Sequence, residues 1–140
     1  MIPSRLSVVT LGAQDLPSLR RFYCGLGWTE LKGSDDSWCA FLLGGVLFAL
    51  FPERDLDAEA TVTTSGRGGF TLAINVDHKA DVDSAFSAAV EAGARPLGRP
   101  EDRSWGGRSA YLADLEGNRW EIAWAPEAVF GERGELVGFG

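Results

Sequence analysis

The chain has 140 residues, of which 45% are hydrophobic, and it carries a formal net charge of −7. This length and composition allow one compact domain whose core needs no disulfide or structural metal. The acidic excess argues against binding to nucleic acid or to anionic membranes, because both require a basic surface. It is compatible with a cationic or neutral ligand, although an acidic surface also serves solubility alone.

The cysteines and the N-terminal residues point to an ordinary intracellular setting. Cys24 and Cys39 have no metal-type spacing, so we expect two buried free thiols. The first residues show no signal-peptide pattern, and no apolar run approaches the ~20 residues that cross a bilayer. We therefore expect a soluble protein of the cytoplasm.

The first half of the chain predicts a strand, a helix and three further strands. A strand over Leu6–Leu11 precedes a helix whose N-cap is Asp15 and whose first turn contains Pro17. Glycines at 25 and 27 end this helix. The strands that follow are predicted near Thr29–Leu31, Trp38–Leu43 and Val46–Phe51, the last two joined by the hairpin signal Gly44-Gly45.

The same order repeats in the second half. The segment Phe70–Val76 alternates between large apolar and small or polar residues, as in a strand with helices on one side and a cavity on the other. A helix follows and ends at Gly93. Further strands are predicted near Arg95–Gly98, Ser109–Ala113 and Arg119–Ala125. The sequence therefore predicts an α+β fold built from two βαβββ modules, about 5–52 and 70–126.

Two segments lie outside the modules. Residues 53–69 are polar and turn-rich, which predicts a linker or mobile flap without an element of its own. Residues 127–140 form a C-terminal tail after a single domain of residues 1–126. The tail contains Val129-Phe130 and Leu136-Val137, and we expect it to be ordered only if these residues are buried.

The segment Arg108–Trp124 predicts a β-hairpin whose second strand carries a carboxylate. Asp114-Leu115-Glu116-Gly117-Asn118 places Asp, Gly and Asn where a turn needs positive φ or a side chain that bonds its own backbone. Glu121 follows in the second strand. Alternation places Trp120, Ile122 and Trp124 on the opposite face, which predicts core packing for both tryptophans.

Taken together, these features resemble the vicinal oxygen chelate superfamily, which includes glyoxalase I, extradiol dioxygenases and bleomycin-resistance proteins. The resemblance spans about residues 5 to 126 and implies two modules whose sheets form one cup-shaped, partly open mixed sheet. Leu115 replaces the proline that is common in the family's hairpin turn. The motifs that carry the resemblance are Asp15–Tyr23, Leu26-Gly27-Trp28, Trp105–Ser109 and the hairpin with Glu121.

The resemblance also defines four possible metal positions, one on the first and one on the last strand of each module, usually filled by His, Glu or Gln. A metal needs several convergent donors. Only one family position here holds a usual ligand, so we expect no tight metal site and no cofactor. The sole histidine, His78, is expected at an exposed turn. The four positions correspond to Val8, Ala49, Thr71 and Glu121.

Eight residues are candidate ligand contacts. Glu121 either anchors a cationic or hydrogen-bonding ligand, or acts as an acid or base, or pairs structurally with a nearby Arg or Thr. Trp105 lies in a glycine-flanked loop that family members often use at the mouth of the cup. Arg108 is either a surface charge or the ion-pair partner of Glu121. The remaining candidates are Tyr111, Trp38, Thr71, Val8 and Ala49.

Two main functional hypotheses follow. The first is a small-molecule binding protein of the drug-sequestering, bleomycin-resistance type, whose ligand is cationic or aromatic and contacts an indole. The alternative is a metal-dependent lyase, isomerase or dioxygenase of the same superfamily, with donors such as Asp77, His78 or Asp114, or catalysis by Glu121 alone. A regulatory or interaction role is a third class. In each case we expect a homodimer, because open sheet edges favour pairing.

Overall fold

The computed structural model describes residues 1, 4–60 and 70–140. The described chain divides into two compact units, each with its own sheet. The first contains the residues up to 60 together with Glu132–Glu135, and the second contains Phe70 to Gly131 together with Leu136–Gly140. Among the described residues, none of the helices combines the length and apolar content needed to cross a bilayer.

The first unit has a three-stranded mixed sheet. Its strands stand in the order β1-β3-β2, with β1 parallel and β2 antiparallel to β3. Leu43 pairs with Val46 across Gly44-Gly45, which confirms the predicted two-residue hairpin. The elements are β1 Val8–Ala13, α1 Leu16–Gly25, β2 Cys39–Leu43, β3 Val46–Pro52 and α2 Glu53–Ala60.

Helix α1 confirms the prediction made from its capping residue. The Asp15 carboxylate accepts the backbone N–H of Ser18 at 3.2 Å, which satisfies a donor left free by the first turn. On its inner face, Tyr23 packs edge-on against Phe48 with 4.9 Å between ring centroids. Tyr23 also stacks on Trp28 at 5.5 Å. These aromatic contacts form the centre of the first unit's core.

Two predictions for the first half need correction. The strand expected at Thr29–Leu31 is reduced to a single bridge between Glu30 and Phe41. The segment expected to lack any element begins with helix α2, because Glu53 and Asp55 complement the dipole of its first turn and most of its residues are good helix formers. The rest of the predicted linker, 61–69, lies outside the described residues.

In the main sheet of the second unit, the three longest strands pair in the same arrangement as the three strands of the first unit. Strand β4 is parallel to β8, and β7 lies antiparallel between β8 and the short strands. Helix α3 packs on β7 and β8 and buries Val82 and Ala89. The α+β fold class with open mixed sheets is confirmed. The elements are β4 Leu72–Asn75, α3 Ala80–Glu91, β5 Arg95–Pro96, β6 Glu101–Asp102, β7 Arg108–Ala113 and β8 Arg119–Trp124.

The C-terminal tail forms a hairpin of β9, Ala128–Phe130, and β10, Leu136–Phe139. The expectation that the tail is ordered only if its named apolar residues are buried is wrong, since Val129, Leu136 and Val137 are 45%, 48% and 60% exposed. Backbone pairing orders the segment instead. The N–H of Gly140 donates to the carbonyl of Glu127 at 2.9 Å and closes the open end of the hairpin.

The positions of the two cysteines and the histidine agree with the sequence prediction in part. Both thiols are free, and Cys39 is buried as expected. Cys24 is exposed, contrary to expectation, because it lies on the solvent side of α1, where its Sγ is 3.6 Å from a carboxylate oxygen of Glu30. His78 is exposed in the turn before α3, which confirms its predicted position.

Candidate functional site

One face of the second unit's sheet carries the side chains of the candidate site. Paired residues of adjacent strands point to the same face, as do residues two apart on one strand. The register therefore aligns two neighbouring rows across β7, β8 and β4. The opposite face of β8 carries both tryptophans. Trp120 is 5% exposed, which confirms its predicted core packing, whereas Trp124 is only half-buried. The two rows are Tyr111, Glu121 and Ala73, and Ser109, Ala123 and Asn75.

Tyr111 and Glu121 are neighbours on this face, because the register pairs them across β7 and β8. Burial raises the pKa of Tyr111, and the negative charge of Glu121 raises this pKa further. The negative charge of Glu121 therefore favours the protonated phenol beside it. The sequence did not decide the partner of either residue, and the strand register makes the two candidates neighbours.

Arg103 supports this pair from the side of β6. Its guanidinium lies over the Tyr111 ring, with 5.7 Å between Cζ and the ring centroid. Its Nε donates to the Ser109 hydroxyl at 2.8 Å, and its Nη1 donates to Glu101 at 2.8 Å. Three contacts fix the orientation of the guanidinium. A positioned cation–π contact then restrains the phenol ring.

A cavity of about 670 Å³ opens beside Glu121 at the end of β8. Two of the eight candidates, Glu121 and Trp105, line it. Asn75 lines it as well, in agreement with the sequence alternation that placed Asn75 on the cavity face of its strand. No Lys or Arg occurs among its lining residues in the described part of the chain. The lining is Asn75, Trp105, Gly106, Glu121, Ala123, Ala125, Pro126, Glu127 and Phe139.

The position of Trp105 depends on the glycine two residues later. The indole is 54% exposed and lies directly over the α-carbon of Gly107. A Cβ at position 107 would overlap both the Trp105 ring and the carbonyl oxygen of Trp124. Glycine is therefore required for the close approach of ring and backbone. The sequence showed the glycine-flanked loop but not this contact.

Arg108 lies away from the cavity and does not pair with Glu121. Its Nε and Nη2 donate to the two carboxylate oxygens of Asp83, each at 2.8 Å, and its Nη1 donates to Asp102 at 3.0 Å. The hydrogen bonds from Arg108 lower the pKa of both carboxylates. Arg108 is thus neither a free surface charge nor the ion-pair partner of Glu121, the two interpretations left open by the sequence. It links α3, β6 and β7.

The two metal positions that the family resemblance implies in the first unit have the same strand register as the two in the second unit. In the first unit Ala49 pairs with Thr10, two residues after Val8. In the second unit Glu121 pairs with Ala73, two residues after Thr71. In each sheet, the first-strand position lies two residues before the residue that pairs with the last-strand position, so the two positions share a face. The alignment of Val8 with Thr71, and of Ala49 with Glu121, has a structural basis in both units.

The side chains at these positions do not fit a divalent metal. Val8 and Ala49 have no donor atom, and the Thr71 hydroxyl accepts a hydrogen bond from Nε of Arg119. The positive charge of Arg119, which is hydrogen-bonded to this hydroxyl, would repel a metal cation at the same position. Within residues 4–60 and 70–140, no three or more His, Cys, Asp or Glu side chains are grouped to hold a metal ion.

The other donors considered from the sequence have separate roles or positions. Asp114 is 3% exposed, and its carboxylate accepts three hydrogen bonds within its own turn. Asp77 and His78 are exposed before α3, where the His78 N–H donates to Asp81. Trp38, the remaining candidate, is half-buried in the first unit, and its backbone N–H donates to Asp35 at 3.1 Å.

The model of the Glyoxalase/Bleomycin resistance protein/Dioxygenase superfamily matches residues 5–122, and the chain belongs to this superfamily. A glyoxalase-related enzyme from Fulvimarina pelagi is 28% identical with a TM-score of 0.91, and the match covers 99% of this chain and 100% of that chain. The resemblance inferred from the motifs is thus confirmed. No curated protein matches significantly.

Two further solved structures share the fold. One is a glyoxalase/bleomycin resistance protein/dioxygenase family enzyme from Burkholderia phytofirmans PsJN, 23% identical, with 86% of this chain and 98% of that chain covered and a TM-score of 0.76. The other is a lactoylglutathione lyase from Agrobacterium tumefaciens, 22% identical, with 89% and 96% covered and a TM-score of 0.69. At these identities the likeness is one of fold alone.

Proposed function

We propose that this protein binds a small organic cation with an aromatic ring, in the manner of the drug-sequestering members of its superfamily. The observation that carries the proposal is the cavity of about 670 Å³ that combines the Glu121 carboxylate with the exposed Trp105 indole. Its volume is in the range of sites for drug-sized ligands, about 300–1,000 Å³. The Tyr111 phenol lies beside this carboxylate, because the two residues are paired across β7 and β8.

The charge of the lining residues determines whether the cavity favours a cation or an anion. The two ionisable side chains on the described lining, Glu121 and Glu127, are both acidic. An aromatic face within about 6 Å of a cation adds a further attraction. A positively charged aromatic compound satisfies both features at once, whereas an anion would meet repulsion from both carboxylates.

A second candidate, proton transfer by Glu121, is favoured by the position of its carboxylate on the cavity wall. A positioned carboxylate beside a cavity is the arrangement that general acid–base catalysis uses. The metal-dependent activities of the superfamily fit less well, because Val8 and Ala49 offer no ligand atom. Conversion of the hemithioacetal of methylglyoxal and glutathione, measured with and without Zn²⁺ or Ni²⁺, tests this candidate. Turnover by the wild-type protein that disappears in Glu121→Gln would favour the catalytic function over the binding function.

Titration calorimetry with ethidium, a flat aromatic monocation, tests the proposal. We expect saturable binding at one site per chain and about 10-fold weaker binding by Glu121→Gln, since a lost charge contact of this kind changes affinity by about that factor. Glu91→Gln is the matched control, because Glu91 is an exposed residue of α3. The anionic dye 8-anilinonaphthalene-1-sulfonate should bind poorly. Absence of saturable ethidium binding, or equal binding of the anionic dye, would refute the proposal.

We also propose that the protein is a homodimer. Strand β1 lies at one edge of its sheet and β4 at one edge of its own. Exposed apolar side chains lie on or next to these edges, with Val8 of β1 at 47% and Phe70, two residues before β4, at 58%. An apolar edge strand is a surface for pairing with another chain. Light scattering coupled to size-exclusion chromatography should give twice the 15.0 kDa mass of the chain, and a monomer at micromolar concentration would contradict this.

A further inference from the structure

We infer that the C-terminal hairpin determines which cations the cavity accepts, through Glu127 and Phe139. This inference rests on the proposed binding function and adds to it a specificity element. The superfamily match ends at residue 122, whereas five lining residues come after that point: Ala123, Ala125, Pro126, Glu127 and Phe139. Part of the cavity wall is therefore built by a segment outside the matched region.

The hairpin holds these side chains at a fixed place. Phe139 pairs with Ala128, and the N–H of Ala128 donates to the carbonyl of Ala125 at 3.1 Å. The N–H of Gly140 donates to the Glu127 carbonyl at 2.9 Å. These bonds bring both ends of the hairpin to the end of β8, where Ala125 also lines the cavity. Glu127 and Phe139 are thus neighbours on one wall.

The aromatic part of the wall is exposed. Phe139 is 64% exposed and Trp105 is 54% exposed, and both line the same cavity. A single exposed aromatic ring is unremarkable on a protein surface. Two such rings on one cavity offer apolar area that a flat ligand removes from water, which is a source of affinity. The hairpin supplies one of the two rings.

The charged part of the wall supplies a second acidic group. Glu121 belongs to β8 and Glu127 to the connection between β8 and β9. A monocation contacts one of these carboxylates closely, whereas a ligand with a second positive charge on a side arm gains from both. The ligand class that fits this lining is a flat aromatic dication.

Ethidium and propidium test this inference directly, because they share one phenanthridinium ring and carry one and two positive charges. We expect propidium to bind the wild-type protein at least about 5-fold more tightly than ethidium. Glu127→Gln should reduce this ratio to about 1, and Phe139→Ala should weaken both dyes about 5-fold or more. The matched controls are Glu132→Gln and Val137→Ala, exposed hairpin residues outside the lining, which should leave both affinities unchanged.

The outcomes separate the inference from the proposed function. If ethidium fails to bind the wild-type protein, both are overturned. If Glu121→Gln weakens ethidium binding while Glu127→Gln and Phe139→Ala behave like their controls, the cavity binds cations without the hairpin and this inference alone is wrong. Thermal melts of each variant identify any loss of folding, which is not expected because Glu127 and Phe139 are both exposed.

Discussion

Replacing Asp114 should destabilise the protein strongly, although the residue lies in a surface turn. Its Oδ1 accepts the N–H of Asn118 at 2.9 Å, and its Oδ2 accepts Nδ2 of Asn118 at 2.8 Å. Both residues are buried, so Asp114→Ala removes the charged acceptor of two buried donors. Hydrogen bonds to a charged group contribute about 1.5–3 kcal/mol each. Two such bonds at the lower figure give an expected loss of about 3 kcal/mol.

The third bond, from the N–H of Glu116 at 2.9 Å, is only part-buried and is left out of this figure because water can replace it. Asp114→Asn provides a graded comparison. Its carbonyl oxygen can still accept the Asn118 N–H, but its amide NH₂ would face the NH₂ of Asn118. We expect this variant to lose about half as much stability as Asp114→Ala.

Urea unfolding followed by tryptophan fluorescence and by circular dichroism gives the required free energies. The slope of the free energy against urea should stay constant among the variants, so that a shifted midpoint reports stability alone. Asp77→Ala is the control, because Asp77 is exposed. A loss below about 1 kcal/mol for Asp114→Ala would show that the turn forms without its carboxylate, and the hydrogen-bond reasoning would then be wrong.

Three further predictions concern the thiols, a phenol and a glycine. Cys24 is exposed, whereas Cys39 is buried and its pKa is raised to about 11. Ellman's reagent at pH 8 should therefore label only Cys24 in the native protein and no thiol in native Cys24→Ser. In the unfolded wild type it should label both thiols. The pKa of Tyr111 is raised in the folded state, so its contribution to stability is complete below about pH 10 and is lost at higher pH. Urea midpoints of Tyr111→Phe should therefore fall less steeply than wild type above that pH, and parallel curves would contradict this. Gly107→Ala should displace the Trp105 ring and cost about 1–3 kcal/mol, measurable as a lower urea midpoint with a changed emission spectrum; an unchanged midpoint would contradict the overlap.

Local sequence signals predicted most of the secondary structure. Asp15 caps its helix, Gly44-Gly45 closes a hairpin and Asp114 organises the turn before Glu121, each through contacts within about four residues. Such contacts are written in the sequence because the side chain and its partner are neighbours in the chain. The alternation around Glu121 also separated its polar face from the core face correctly.

Long-range partners could not be predicted in the same way. Arg108 bonds Asp83, 25 positions earlier, and no spacing rule connects the two. Phe139 and Glu127 reach the cavity only because backbone pairing folds the tail into a hairpin. That pairing leaves its side chains exposed, so a rule based on buried apolar residues missed it. Helix α2 was missed for a related reason, since it buries no residue fully and its polar composition is equally typical of a linker.

The closure of the C-terminal hairpin also matters for how the protein is handled. The last residue, Gly140, is held by its N–H against the carbonyl of Glu127, whose side chain lines the cavity. Any polypeptide joined after Gly140 therefore starts at the cavity wall and competes with ligand for the same space. An affinity tag or fluorescent reporter fused at this end would alter the property under measurement.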